Sequence, residues 1–230
     1  MELIGAGRDA DVWALDSTRV LRRYRHGGSA DEEARVMAHL AGVGFAVPRV
    51  HDVNGADLVM DRLTGPTMAQ DLARRPWRAH SHGRLLAGLQ ASLHAVPAPG
   101  WLRRRFGTGD PARDRVLHLD LHPENVILTP DGPVLIDWSN TAGGDPAADT
   151  ALTVAILRGV SLGPVRNTGL RLFLTGFLHA APTDPAPRMA EVITARLADP
   201  NLQPAEERRL RRFARSARAA IDSRTREVGS

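Results

Sequence analysis

Val116-Leu117-His118-Leu119-Asp120-Leu121-His122-Pro123-Glu124-Asn125-Val126-Ile127-Leu128, followed by Val134-Leu135-Ile136-Asp137-Trp138, sets two acids and a carboxamide on turns between short apolar strands. Leu117, Leu119 and Leu121 alternate with His118, Asp120 and His122, so the spacing predicts an apolar, anchored face and a polar face aimed at a cleft. Thr129-Pro130-Asp131-Gly132-Pro133 reads as the hairpin turn between two strands. Transfer of a phosphoryl group asks little covalent chemistry of a protein: Mg²⁺ must be held, the attacking hydroxyl oriented and charge neutralised. Asp120 is the candidate acceptor of the hydroxyl proton, Asn125 would offer its side-chain oxygen to one magnesium ion, and Asp137 would hold the metal that bridges the phosphates.

HLDLHPEN and LIDW resemble the catalytic and metal loops of the aminoglycoside phosphotransferase and choline kinase family, small-molecule kinases with a protein-kinase-like fold. In that family the first loop typically reads H-G-D-x-H-x-x-N and the second I-D-[WF]. His118, Asp120, His122, Asn125, Asp137 and Trp138 match, and Leu119 in place of the usual Gly reads as a mild departure. The resemblance implies an α+β, two-lobed fold, with a small antiparallel-sheet, nucleotide-binding lobe over residues 1–63 and a mostly helical lobe over 64–230. It also implies ATP (with GTP an open alternative) and Mg²⁺ as cofactors, and an alcohol group of a small molecule as acceptor.

Such a fold requires a phosphate-covering loop, a basic residue on a strand and an acid on a helix. Gly5-Ala6-Gly7-Arg8-Asp9-Ala10-Asp11-Val12 matches G-x-G-x-x-G-x-V except at Ala10, which keeps a small residue where backbone approaches phosphate, so Gly5, Gly7, Arg8 and Val12 are candidates there. Residues 11–15 and 18–24 alternate as two strands around Asp16-Ser17, with Val20 and Arg22 on a shared face. By resemblance Val20 belongs to the adenine ceiling and Arg22 is the counterpart of the usual phosphate-binding Lys. All 30 basic residues of the chain are Arg. Arg and Lys are not interchangeable at a positioned site, so two readings stand: an active phosphotransferase, or a nucleotide-binding regulatory module or pseudokinase with little catalysis. A helix over 30–40, with Ser29 as candidate cap, offers Glu33 to Arg22, with Glu32 as the competitor, and buries Val36, Met37 and Leu40. Residues 45–50 and 57–61 read as strands around Asn54-Gly55. The resemblance makes Met60, Asp61 and Leu63 part of the hinge that meets adenine.

From 77 to 96, Leu85, Leu86, Leu89 and Leu93 recur at helical spacing, which places Arg78, His82 and Gln90 outside. Residues 103–113 read as a basic, mobile connector. Asp145-Pro146 caps a helix from about 147, whose Asp149 the resemblance assigns to bracing the catalytic loop. Further helices are expected near 168–180, 187–197 and 205–221.

A chain of 230 residues with 43% hydrophobic content can build one large core or two lobes around a cleft. It has no apolar run of about 18 residues, no basic-then-apolar start of a secretory leader and no Cys. A cytoplasmic location is expected. The pI of 10.9 exaggerates a net charge of +4, because without Lys or Cys and with one Tyr little titrates between His and Arg. That charge sits at residues 201–230, where Leu210, Phe213, Ala217 and Ile221 recur between arginines as in a docked amphipathic helix, so neither nucleic acid nor membrane is expected as a partner. His118, Asp120 and His122 could also be hydrolase metal ligands, but that leaves Asp137 unexplained. A protein kinase would need a longer activation segment than the few residues between Asp137 and Gly144. The arginine-rich carboxy-terminal region leaves a neutral or anionic metabolite beside an aminoglycoside as the acceptor, and the oligomeric state is left open.

Overall fold

An antiparallel sheet forms the amino-terminal end of the computed structural model, which describes residues 1–7, 9–25, 30–160, 163–199 and 202–228. Its strands β1 (Glu2–Ala6), β2 (Ala10–Ala14), β3 (Arg19–Tyr24), β4 (Val50–Asn54) and β5 (Asp57–Asp61) lie in the order β1-β2-β3-β5-β4. Residues 2–6 form the edge strand β1, bulged between Leu3 and Gly5, so Gly5 and Ala6, expected in the glycine-rich loop, belong to the strand that leads into it. The strand expected over 45–50 begins instead at Val50, and residues 45–49 are irregular. Pro48 has no N–H to give to a ladder, and Phe45 leaves the sheet to meet Trp138 edge-on at 5.8 Å. Helix α1 (Ala30–Gly42) covers one face, with Met37 and Leu40 buried in one core with Val20, Leu58 and Met60. Arg8 and Ser29 lie outside the described residues.

The chain leaves β5 through residues 62–66 and enters α2 (Met68–Arg74), whose start is fixed by a capping box between Thr67 and Gln70. Helices α3 (Ala79–His94), α4 (Pro146–Gly159), α5 (Pro164–Ala180), α6 (Met189–Leu197) and α7 (Pro204–Val228) complete the second lobe, and Asp145 caps α4 as expected. His82 and Gln90, expected outside, are buried at 7% and 0% exposure. Each has polar partners that make burial tolerable: His82 meets Asp71 at 2.8 Å, and the Gln90 amide bonds the hydroxyls of Thr150 and Thr153 on α4.

Helix α3 is therefore covered on two sides, and its second contact, with α5, depends on glycine. A Cβ on Gly83 would stand 2.0 Å from the Phe173 carbonyl oxygen, and one on Gly176 would stand 2.1 Å from that of His80. The backbones touch at both points, so neither neighbour can turn aside. Gly83→Ala should lower unfolding free energy by about 1–3 kcal/mol, as overpacking does, despite alanine's better helix propensity. Chemical denaturation checks this, and an unchanged or raised stability would contradict the close approach.

Two small antiparallel pairs carry the loops of interest. Strand β6 (Arg115–Leu117) pairs with β9 (Ala142–Gly144), and β7 (Val126–Thr129) pairs with β8 (Gly132–Leu135). The connector expected to be mobile is tied at several points: Arg104 pairs with Asp114 at 3.2 Å, and Arg103 donates to the carbonyls of Thr141 and Ser139 at 2.9 and 3.1 Å. Its arginines satisfy backbone acceptors that would otherwise need water. No described helix is long and apolar enough to cross a membrane.

Candidate active site

The leucine alternation works as anchoring: Leu117, Leu119 and Leu121 are all buried. The segment is not a continuous strand, however, because β6 ends at Leu117 and the backbone turns sharply at Leu119, with φ of 60°. That left-handed conformation is where the resembled pattern has Gly. For a leucine it costs about 1–2 kcal/mol, so the departure is not mild at the backbone. It is held by Asp149, fully buried, whose carboxylate accepts from the N–H groups of His118 and Leu119 at 3.2 and 2.8 Å and meets the His94 ring at 3.0 Å. The Leu119 side chain in turn belongs to one buried cluster with Val192 and Ile193 of α6. Leu119→Gly would relieve the strain but vacate a buried leucine site, a change that costs about 2–5 kcal/mol. The cavity outweighs the strain. The variant should be less stable by about 1–3 kcal/mol, and a more stable one in a denaturant titration would reverse that ranking.

Past this turn, Asp120 is half-buried. Burial alone would raise its carboxyl, but hydrogen bonding to His122 and the charges of His122, His118 and Arg196 outweigh that and hold it below the usual carboxylate range. It is ionised at neutral pH. Asn125 ends a single helical turn that Pro123 begins, and its Nδ2 donates to the Asp120 carbonyl at 2.9 Å, leaving Oδ1 directed elsewhere. The Asn125 carbonyl accepts from Ile136 N–H at 3.1 Å, and His118 Nε2 meets the Ile136 carbonyl at the same distance, so the two loops are clamped together. His118 Nδ1 accepts from Asp120 N–H. Both its ring nitrogens are thus engaged in bracing, which disfavours the hydrolase ligand set.

Asp137 also adopts a positive φ, 66°, which aspartate tolerates better than most residues. Its Oδ1 accepts from Ser139 at 2.8 Å and from Arg22 Nη2 at 2.6 Å. Arg22 reaches across from β3, and its Nε lies 3.4 Å from Glu33 Oε2. Glu33 is the partner, since Glu32 points to solvent. The other Glu33 oxygen accepts from Trp138 N–H at 3.0 Å, and the Tyr24 hydroxyl donates to Oε2. Burial would lower the Arg22 guanidinium, but Glu33 and Asp137 more than compensate and raise it. The same setting pushes the Tyr24 phenol up, first through burial and then through Glu33.

The remaining candidates line the sheet side. Gly7 N–H donates to the Ala10 carbonyl at 2.9 Å, closing the β1–β2 turn, and Gly5 stands opposite Val12. Val20 and Met60 are neighbours on β3 and β5 and both are buried. Asp61 pairs with His51 at 2.7 Å and accepts from Arg49 N–H, so its side chain braces the strand end. Leu63 is half-buried in the exit from β5.

A magnesium nucleotide fits this donor set. Asp137 and the Asn125 amide supply one carboxylate and one neutral oxygen, and among the described residues no three His, Asp or Glu gather as a closed cage. That suits an ion that keeps few protein ligands and completes its shell with phosphates and water. The buried Arg22 Nε has no hydrogen-bond partner of normal length among the described residues and marks an unspent donor at the same place. Sequence reasoning missed Arg103 and the Leu119 conformation; only the Gly expected at Leu119 signalled the latter.

A family model described as "Phosphotransferase enzyme family" matches residues 1–115 and 108–183. A 58-residue segment, 23% of this chain, is 41% identical to thiamine kinase of Salmonella paratyphi B, and the match spans 21% of that protein's length. Among solved structures, aminoglycoside phosphotransferase APH(4)-Ia superposes with a TM-score of 0.65 at 17% identity, covering 93% of this chain and 92% of that one. A choline/ethanolamine kinase family protein from Mesorhizobium loti gives 0.57 at 16% identity, over 96% and 86% of the two chains. The gentamicin complex of APH(2")-IIa gives 0.60 at 14%, over 85% and 81%. These likenesses show the protein-kinase-like, mixed α+β fold.

Proposed function

Because the chain belongs to the phosphotransferase enzyme family, we propose that it transfers the γ-phosphoryl group of ATP to an alcohol group of a small molecule, with GTP as the alternative donor. The observation that carries this reading is the convergence of Arg22, Glu33 and Asp137, from three separate elements, beside the clamped loop of Asp120 and Asn125. In this reading residues 1–63 form the nucleotide lobe and 64–230 the acceptor lobe, and the protein works in the cytoplasm, where ATP is available.

Asp137 and Asn125 would hold Mg²⁺, which would supply neutralisation of the phosphate charge. Gly5, Gly7 and Arg8 cover the phosphates, Arg22 pairs with them under the hold of Glu33, and Val12, Val20 and Met60 enclose the base while the backbone of Asp61 and Leu63 meets its edge. Asp120, ionised and fixed through Asn125, accepts the proton of the attacking hydroxyl. Asp137→Ala should abolish the Mg²⁺-dependent part of thermal stabilisation by ATP, which scales with the logarithm of ligand concentration over Kd. Retained Mg²⁺-dependent stabilisation would refute the metal assignment.

A second reading, a nucleotide-binding module or pseudokinase with little catalysis, draws support from the 2.6 Å contact between Arg22 and Asp137, in which the basic residue engages the metal ligand itself. ADP release with a panel of hydroxylated compounds separates the two: nucleotide binding without any acceptor-dependent release would favour the second.

A further inference from the structure

Helix α1, which carries Glu33, is held from the second lobe at one more place besides the bond from Trp138 N–H to Glu33. Arg35 and His39 are four residues apart and share one face of the helix. The Arg35 guanidinium lies over the Trp101 ring at 4.1 Å, and the His39 ring meets the same indole edge-on at 5.9 Å. Trp101 stands on a loop with little freedom. Ala98 N–H donates to the Asp114 carbonyl at 3.1 Å and Leu102 N–H to that of Pro99 at 3.0 Å, while the Arg104 guanidinium donates to the carbonyls of Pro99 and Leu102 at 3.1 and 3.0 Å.

Two residues beyond Trp101, the same loop grips the segment that follows Asp137. Arg103 donates through Nε to the Thr141 carbonyl and through Nη2 to the Ser139 carbonyl, at 2.9 and 3.1 Å, and its own carbonyl accepts from Gly143 N–H at 2.8 Å. The Ser139 hydroxyl in turn donates to Asp137 Oδ1 at 2.8 Å. One short segment thus touches both the helix that bears Glu33 and the loop that bears Asp137, the two carboxylates between which Arg22 is held. Arg22 itself comes from β3, so its guanidinium is aimed only as well as those two carboxylates are spaced.

We infer that residues 101–103 form a clip that sets the spacing of α1 and the Asp137 loop, with Trp101 as a positioning residue for Glu33, and through it for Arg22, and Arg103 as the anchor on the other side. The positioning role of Trp101 rests on the reading of Arg22 as the partner of the phosphates. A stacked guanidinium and an edge-on ring both depend on the aromatic surface they meet, so Trp101→Ala removes both grips at once. Without them α1 spends part of its time displaced, and the apparent nucleotide affinity falls with the fraction of molecules in which Glu33 still holds Arg22 in place. Trp101 is 37% exposed, so its truncation opens no sealed cavity in the core.

The test is calorimetric titration of the full chain with Mg·ATP, at a temperature well below the unfolding of every variant. Trp101→Ala should weaken binding about three- to tenfold. Arg35→Ala, from the other side of the contact, should give part of that loss, and Trp101→Phe, which keeps an aromatic face, should recover most of it. Glu33→Gln separates positioning from general loosening: Trp101→Ala added to it should weaken binding no further, since residues that act through one partner are not additive. Unchanged affinity in Trp101→Ala, a Trp101→Phe variant as weak as Trp101→Ala, or a full additional loss in the Glu33→Gln background would overturn the proposal. A chain that binds no Mg·ATP at all would remove the phosphotransferase reading instead, and the clip is then read by amide hydrogen exchange. Helix α1 should exchange faster in Trp101→Ala than in the unmodified protein and in Trp101→Phe, and equal rates would dispose of the clip.

Discussion

Asp120→Asn should reduce turnover by about 10²–10⁴-fold, the range a positioned general base contributes, while leaving nucleotide affinity within about twofold. The exchange is nearly isosteric, and the bond that fixes the loop, from Asn125 Nδ2 to residue 120, uses the backbone carbonyl and survives. What disappears is the proton acceptor. Because hydrogen bonding and neighbouring positive charge hold the Asp120 carboxyl below its usual range despite burial, the group stays ionised down to acid pH. Activity of the unmodified protein should therefore show no loss from this group between about pH 8 and pH 5, and fall only as the pH drops below the ordinary carboxylate value of about 4. Steady-state kinetics with the productive acceptor, together with nucleotide thermal shift, measures both halves. A variant that keeps its turnover would remove Asp120 from the chemistry.

Asp149→Asn is expected to have the largest effect on stability. The Asp149 carboxylate is fully buried, accepts the backbone N–H groups of His118 and Leu119 and meets His94. Breaking one partner of such a buried pair costs about 3–5 kcal/mol, and for a chain of this length that lowers Tm by about 10 °C. Burial would raise the Asp149 carboxyl, but the His94 hydrogen bond and charge, the charge of His118 and the Leu119 N–H prevail and lower it. A depressed carboxyl contributes its stability in full above the unfolded value near 4 and loses it as the pH falls through the lower folded value. The difference between the two proteins should thus be constant from pH 6 to 8 and shrink below about pH 4. Equal stability at neutral pH would mean that the turn at Leu119 is held by something else.

The stretch from Leu117 to Asp137 was largely legible because it is local. Alternation of Leu117, Leu119 and Leu121 with polar residues, the turn at Asp131-Gly132 and the acid ending a short strand at Asp137 each follow from neighbours in sequence. Glu33, rather than Glu32, follows from the apolar stripe of α1, which turns that side chain inward. What escaped depends on distant partners. Gln90 and His82 read as solvent-facing because nothing in α3 itself announces the hydroxyls of α4 or the carboxylate of Asp71 that receive them. The contact of Gly83 with α5 is a meeting of two backbones, and a helical glycine does not disclose which neighbour approaches it. The mobility expected of residues 103–113 failed because arginine, read as a solvated charge, serves there as a donor to carbonyls.

Gly65, with φ of 143°, lies so close to β7 that a Cβ would stand 2.1 Å from the Leu128 carbonyl oxygen, and Leu128 N–H bonds the Pro66 carbonyl at 2.9 Å. The strap leaving the sheet is thereby riveted to the hairpin whose two ends bear Asn125 and Asp137. Any swing of the sheet against the helices has to pivot at residues 62–64, upstream of the rivet. A sheet displaced against the helices would leave the lower teeth of this jaw, Asn125 and Asp137, at their spacing.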